Sequence, residues 1–282
     1  MKKITLLLIL STTYIFSNIN AVVSILPQQT FVQAIGGDKV NVSLMVLPGN
    51  SPHTYEPKPS QMIDITKAHL YFAIDVEFED VWLPKFKNLN NNMHIIDLAD
   101  GISKIHMTKC QDDHHHDHGH GGEDPHIWTA PANVKIIAQN IYAALAKQDP
   151  ENQNYYKSNL NAFIAKIEKT DAQIKQTLSS LTSARTFMVF HPSWGYFAKA
   201  YDLEQIAVEI EGKSPKPKEL ITLLKEAKAK KVGAIFTQPE FSDTTAKIIA
   251  KELNIPVVKV SPLAQEWSQN LLNIAKHIAG TH

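Results

Sequence analysis

From Pro150 to Leu181 the chain contains no glycine and no internal proline, and apolar residues recur along it in steps of three, four and seven. Tyr156, Leu160, Phe163, Ile167, Ile174, Leu178 and Leu181 therefore fall on one face of a helix. Asp149 is a suitable N-cap, and Pro150 stands at the first helical position, where its missing N–H is no loss. At 1.5 Å per residue such a helix extends about 48 Å, the length of two stacked small domains. The alternative is a helical hairpin broken near Asp171, but nothing there would turn the chain.

On either side of this segment, strand and helix signals alternate. Before it come apolar or β-branched runs at 22–26, 40–46, 69–74 and 94–96. Helical stretches lie at 28–35, closed by Gly36-Gly37, and at 60–68, with Ser60 as the cap. After it come strands at 186–190, 205–208, 234–237 and 257–260, with helices opening at Ser214-Pro215 and at Ser242. Alternation of this kind predicts βαβ units and mainly parallel sheets, so the fold class is α/β, two lobes joined by one long backbone helix. The boundaries expected are an N-terminal lobe over 22–148, a linking helix over 149–182 and a C-terminal lobe over 183–282. With 282 residues the chain is long enough for both.

Residues 1–21 are expected to stand outside the fold as a secretory signal. Lys2 and Lys3 form a basic start, residues 4–16 an apolar run too short to span a bilayer, and Ala21 a small residue at the cut. No cysteine follows the apolar run, so a lipid anchor is not expected and the mature chain should be a soluble periplasmic protein. Lys and Arg number 28 against 28 Asp and Glu, which leaves no basic footprint for nucleic acid or anionic lipid.

The 13 histidines are the chief chemical signal. His53 lies in Pro48-Gly49-Asn50-Ser51-Pro52-His53-Thr54-Tyr55-Glu56-Pro57, His126 in Asp124-Pro125-His126-Ile127-Trp128, and His191 in Phe190-His191-Pro192-Ser193-Trp194-Gly195-Tyr196. His191 follows a strand directly, and ligands of open α/β sheets bind beyond the carboxyl ends of strands. Each histidine has a proline next to it, which restricts the local backbone. Three imidazoles converging from distant segments suit Zn²⁺, which takes nitrogen ligands without imposing a geometry of its own. Taken one at a time, a loop histidine is more often a surface or capping residue.

These three segments, with Ile210-Glu211-Gly212 and Pro215, make the mature chain similar to the substrate-binding proteins of zinc and manganese ABC importers, the ZnuA-like group. The resemblance implies that His53, His126 and His191 are metal ligands, that two lobes flank one backbone helix, and that a membrane permease with its cytoplasmic ATPase is the partner. The family commonly places an Asp where Ser261 stands in Val260-Ser261-Pro262-Leu263. A hydroxyl is a poor zinc ligand. The fourth position is therefore expected to be water or a carboxylate from elsewhere, with Glu56, Glu211 and Glu240 as candidates. Each of the three is more readily a plain surface residue or a partner accepting a ligand histidine's spare ring N–H.

Residues 112–122 form a separate tract of His, Asp and Gly with nothing apolar to bury, a compositional metal binder beside the single cysteine, Cys110. The resemblance adds that zinc members often carry such a His-rich loop and manganese members usually do not. The functional expectation is an exported, monomeric zinc-binding protein, not an enzyme, that delivers Zn²⁺ to an importer. Three imidazoles favour zinc over the oxygen-preferring Mn²⁺. A zinc hydrolase would also use three histidines and a water, but no His-Glu-x-x-His helix is present. An extracellular metal buffer or adhesin shares the signal and the tract.

Overall fold

The computed structural model describes residues 18–107, 122–179, 181, 185–209 and 213–280. Most of the His-rich tract, Cys110 and Glu211 lie outside the described residues, as do residues 1–17. In the first lobe β1 (Ile19–Val23), α1 (Leu26–Gly36), β2 (Val40–Leu44), α2 (Pro59–Lys67), β3 (Leu70–Ala73), α3 (Glu77–Leu89) and β4 (His94–Asp97) give a parallel sheet in the order β2-β1-β3-β4. α4 (Pro131–Gln148) and α5 (Gln153–Leu178) follow. The second lobe contains β5 (Thr186–Val189), α6 (Gly195–Ala200), β6 (Glu204–Ala207), α7 (Pro217–Ala229), β7 (Ile235–Thr237), α8 (Thr244–Leu253) and β8 (Val257–Lys259). Its parallel sheet repeats the same topology in the order β6-β5-β7-β8, and α9 (Trp267–Ala279) ends the chain. The α/β class and the long connecting helix are as the sequence predicts.

Three expectations need correction. The first is that residues 1–21 stand outside the fold. Residues 19–21 belong to β1, which pairs in parallel with β2 from Ile19↔Val40 and with β3 from Ala21↔Leu70, and Ile19 and Ala21 are buried. A cut after Ala21 would remove the first half of a central strand. The second concerns Ser60. α2 starts at Pro59, and Lys58 is its cap: the Gln61 side chain reaches back and accepts the Lys58 N–H at 2.9 Å. The third is the span of the long helix. Asp149 accepts from the Asn152 N–H and from Tyr156 Oη, but the first turn, Pro150–Asn152, is 3₁₀. α5 then ends at Leu178, where Ser179 Oγ donates to the Gln176 carbonyl at 2.7 Å and competes with further helix. The α-helical part is about 39 Å long.

α5 buries Tyr156, Leu160, Phe163, Ile167, Ile174 and Leu178, six of the seven residues on the predicted face, and Leu181 packs partly buried beside them. α9 returns from the second lobe to this helix. The edge of Trp267 meets the Phe31 ring at 5.7 Å, and Phe31 meets Phe163 at 5.6 Å. Trp267 Nε1 donates to the Trp128 carbonyl at 2.7 Å, and Trp128 Nε1 to the Pro262 carbonyl at 2.8 Å. One buried core consequently runs through both lobes, with a smaller one between β5–β7 and helices α7 and α8. No helix among the described residues is long and apolar enough to cross a membrane.

Behind the exit of β1, Glu79 is 3% exposed. It accepts from Ser24 Oγ, from the Ile74 N–H and from the Asp75 N–H at 2.8 Å, and so holds the β3–α3 turn, where Asp75 has φ 62°. Burial pushes its carboxyl up to about 7 from 4.5. The native state keeps that proton between those two values while the unfolded chain releases it. The stability contributed by Glu79 is then full below pH 4.5 and is lost as pH rises through about 7, by a few kcal/mol at most. Urea midpoints should decline over that window, and Glu79→Gln should flatten the decline; an unchanged slope in the variant removes Glu79 as its source. A chain beginning at Val22 should be on the order of 3 kcal/mol less stable than one beginning at Asn18, since it loses buried apolar area and two ladders of hydrogen bonds. Equal denaturation midpoints for the two would contradict this placement of β1.

Candidate metal site

Both sheets reverse their winding at β1/β3 and at β5/β7, and the segments leaving β3, β5 and β7 line one cavity. His191 stands two residues beyond β5. Gln238, just past β7, fixes its backbone, donating to the His191 carbonyl at 2.8 Å and accepting the His191 N–H at 3.3 Å. The Phe241 ring stacks on the imidazole at 5.1 Å and 23°. His126 is set by a local turn: Asp124 Oδ1 accepts its backbone N–H at 2.9 Å, and the 3₁₀ turn Ile127–Thr129 follows at once. His53 lies on the loop after β2. There Gly49 takes φ 80°, the Asn50 N–H closes a turn on the Leu47 carbonyl, and the His53 N–H meets Ser51 Oγ at 3.3 Å.

The structure brings the three predicted histidines together in one cavity, with Glu77, Gln238 and Glu240 also in its wall. Ring centres are 5.0 Å apart for His53 and His191, and 5.3 Å for His126 and His191. Two imidazoles bound tetrahedrally to one Zn²⁺ have ring centres about 5 Å apart. Among the described residues no group of three or more His, Cys, Asp or Glu stands close enough together to hold a metal ion as placed in this structure. The three side chains differ in burial: those of His126 and His191 are 8% and 9% exposed, that of His53 31%.

Every one of these imidazoles has a carboxylate at Nδ1. Asp124 Oδ1 lies 2.8 Å from His126, Glu209 Oε1 2.7 Å from His191, and Glu77 Oε1 3.2 Å from His53. A carboxylate there keeps the proton on Nδ1 and leaves the Nε2 lone pair for a ligand. His191 Nε2 is buried without a hydrogen-bond partner, a position worth about 1–3 kcal/mol of lost hydration unless something binds it. Burial holds His191 below its usual range, chiefly against the pull of Glu209, which favours the neutral, ligating form. His53 is raised, first by its hydrogen bond to Glu77. Glu77 itself falls to about 2: burial works against its charge, and the bond and charge of His53 outweigh it.

The sequence offered Glu56, Glu211 and Glu240 as candidates for the fourth position, each more readily a partner of a histidine or a surface residue; the carboxylates at the ring nitrogens are Asp124, Glu209 and Glu77. Glu56 is exposed and does not line the cavity. Glu209 was open to discovery from the strands, because the β5–β6 register Val189↔Ala207, continued by two residues, sets His191 beside Glu209. Asp124 was visible in Asp-Pro-His as a turn former. Glu77 carried no comparable local signal. Gly195 is explained by contact as well: a Cβ there would stand 2.6 Å from Asp124 Oδ2. Tyr196 Oη donates to the Asp124 carbonyl at 2.9 Å, so the start of α6 in the second lobe buttresses the carboxylate that holds His126 in the first.

Comparison with known proteins agrees with this architecture. The family described as ZnuA, zinc-uptake complex component A, periplasmic, matches residues 21–280. A crystal structure of ZnuA superposes with a TM-score of 0.85 at 41% identity, covering 94% of this chain and 99% of that one. The high-affinity zinc uptake system protein ZnuA of Bacillus subtilis is 29% identical over 245 residues, 83% of this chain and 75% of that protein. The manganese ABC transporter substrate-binding lipoprotein PsaA of Streptococcus pneumoniae is 30% identical over 235 residues, 79% of this chain and 73% of that protein. With this match along nearly its whole length, the chain belongs to the ZnuA family of metal ABC-transporter substrate-binding proteins, a transport family and not an enzymatic one.

Proposed function

We propose that this protein captures Zn²⁺ outside the cytoplasm through His53, His126 and His191 and delivers it to a membrane ABC permease driven by a cytoplasmic ATPase. One observation carries the proposal: three imidazoles share a cleft, each with a carboxylate at Nδ1, and the buried Nε2 of His191 has no hydrogen-bond partner. The cavity measures about 30 Å³, room for an ion or a water and far below the several hundred Å³ of a site for organic substrates. Zinc is supported over manganese by the nitrogen ligands, since Mn²⁺ prefers carboxylate oxygen. The B. subtilis relative is named for zinc and the S. pneumoniae relative for manganese, so the relatives' names support either ion and the reading for zinc rests on this chain's nitrogen ligands. Copper would bind the same ligands more tightly, and its exclusion rests on supply and geometry.

Burial sets an order of engagement. His126 and His191, fixed by turn, strand and stacking, meet the ion first; His53, on its exposed loop, swings in last and completes the set. The protein acts as an exported monomer, and the His-rich tract at 112–122 gathers further metal weakly without being part of the tight site.

Replacing His53, His126 or His191 by Ala should each weaken Zn²⁺ binding more than about 100-fold by calorimetry on chelator-stripped protein, and abolish growth rescue of a zinc-starved importer mutant. Near-wild-type affinity in any one variant removes that residue from the site. Gly195→Ala should displace Asp124 and lower affinity about tenfold with the fold intact by circular dichroism; unchanged affinity would show that Asp124 does not orient His126. Deleting residues 112–122 should leave a single tight equivalent, counted by competition with a chromogenic chelator.

A further inference from the structure

The carboxylates around the cleft are not equivalent. Glu77, Asp124 and Glu209 are each engaged by an imidazole. Glu240 lines the same cavity, yet it stands in no ion pair among the described residues, and its carboxyl accepts only from neutral donors, Ser261 Oγ at 3.3 Å from Oε1 and its own backbone N–H. Ser261 is itself fixed, since its carbonyl accepts from Asn270 Nδ2 at 2.8 Å and its Oγ accepts the Leu263 N–H at 3.1 Å. Glu240 sits between Gln238, which clamps the backbone of His191, and Phe241, which stacks on its ring, so its backbone is tied to the position of that imidazole. A half-buried carboxylate without a cationic partner is unfavourable unless a positive charge arrives.

We infer that Glu240 is the fourth protein ligand of the captured ion, with Ser261 as the residue that positions it; this rests on the three-histidine site proposed above. Carboxylate oxygen is an ordinary zinc ligand at about 2.0–2.2 Å, and two neutral donors leave a carboxylate, with its four lone-pair positions, acceptor capacity for the metal. The ligand set becomes three neutral nitrogens and one anionic oxygen. It admits a harder ion more readily than three imidazoles and a water would, so Glu240 sets how far the site discriminates Zn²⁺ from Mn²⁺.

The test uses the full mature chain with Glu240→Gln, which keeps the shape and the bond to Ser261 but removes the charge. Zn²⁺ and Mn²⁺ affinities are measured by calorimetry beside wild type, His126→Ala and His191→Ala. Zn²⁺ affinity should fall on the order of 10- to 100-fold and Mn²⁺ affinity further, widening the Zn²⁺/Mn²⁺ ratio, while the melting temperature of the metal-free variant stays that of wild type. A merely structural role would shift the melting temperature and leave the ratio alone, and that result overturns the inference. Wild-type Zn²⁺ and Mn²⁺ affinities in Glu240→Gln, with tight binding lost in the histidine variants, would also overturn it and leave the three-histidine site standing. If the histidine variants too kept tight binding, the site itself would be misplaced and the inference would fall with it.

Discussion

An imidazole is a useful ligand only while one nitrogen keeps its proton and the other offers its lone pair, and much of this structure serves that condition. The three carboxylates at Nδ1 come from three kinds of structure: a turn for Asp124, a strand exit for Glu209 and the first residue of a helix for Glu77. Each depends in turn on deeper packing. Glu209 faces His191 because β5 and β6 pair in register, and Glu77 is placed by a turn whose two N–H groups are taken up by buried Glu79. Lys104 ties that turn to the segment leading into Asp124, pairing with Asp75 and with Glu123 at 3.1 Å. The site is thereby a property of both sheets and not of the loops alone.

The periodic and punctuated parts of the fold were legible in the sequence. Eight strands in two series and the buried face of α5 follow from apolar period and from Pro and Gly punctuation, while the meeting of the three histidines in one cavity was expected from the resemblance of their motifs to a known family. Start points were less legible, because they depend on pairing. Ile19–Ala21 resemble the tail of a leader until β2 and β3 are seen on either side of them. α3 was hidden by its internal Pro84 and its three acidic residues in the first turn, which give it the look of a polar loop. The partners of the histidines were hardest, since a Glu that meets an imidazole across a sheet or from another helix leaves no mark in local sequence.

The aromatic joint between the lobes carries a consequence for release. Phe31, Phe163, Trp128 and Trp267 tie α1, α5 and α9 into one core, and two indole N–H groups cross it. A wide separation of the lobes would bring aromatic side chains of 150–250 Å² each into water. At about 25 cal/mol per Å², exposing two of them costs roughly 10 kcal/mol, a state visited about once in ten million. Wide gaping is therefore a rarely populated state of the free protein. What can move cheaply is the exposed loop that carries His53. On the three-histidine site proposed above, an outer partner that draws this loop away removes one ligand without prising the halves apart.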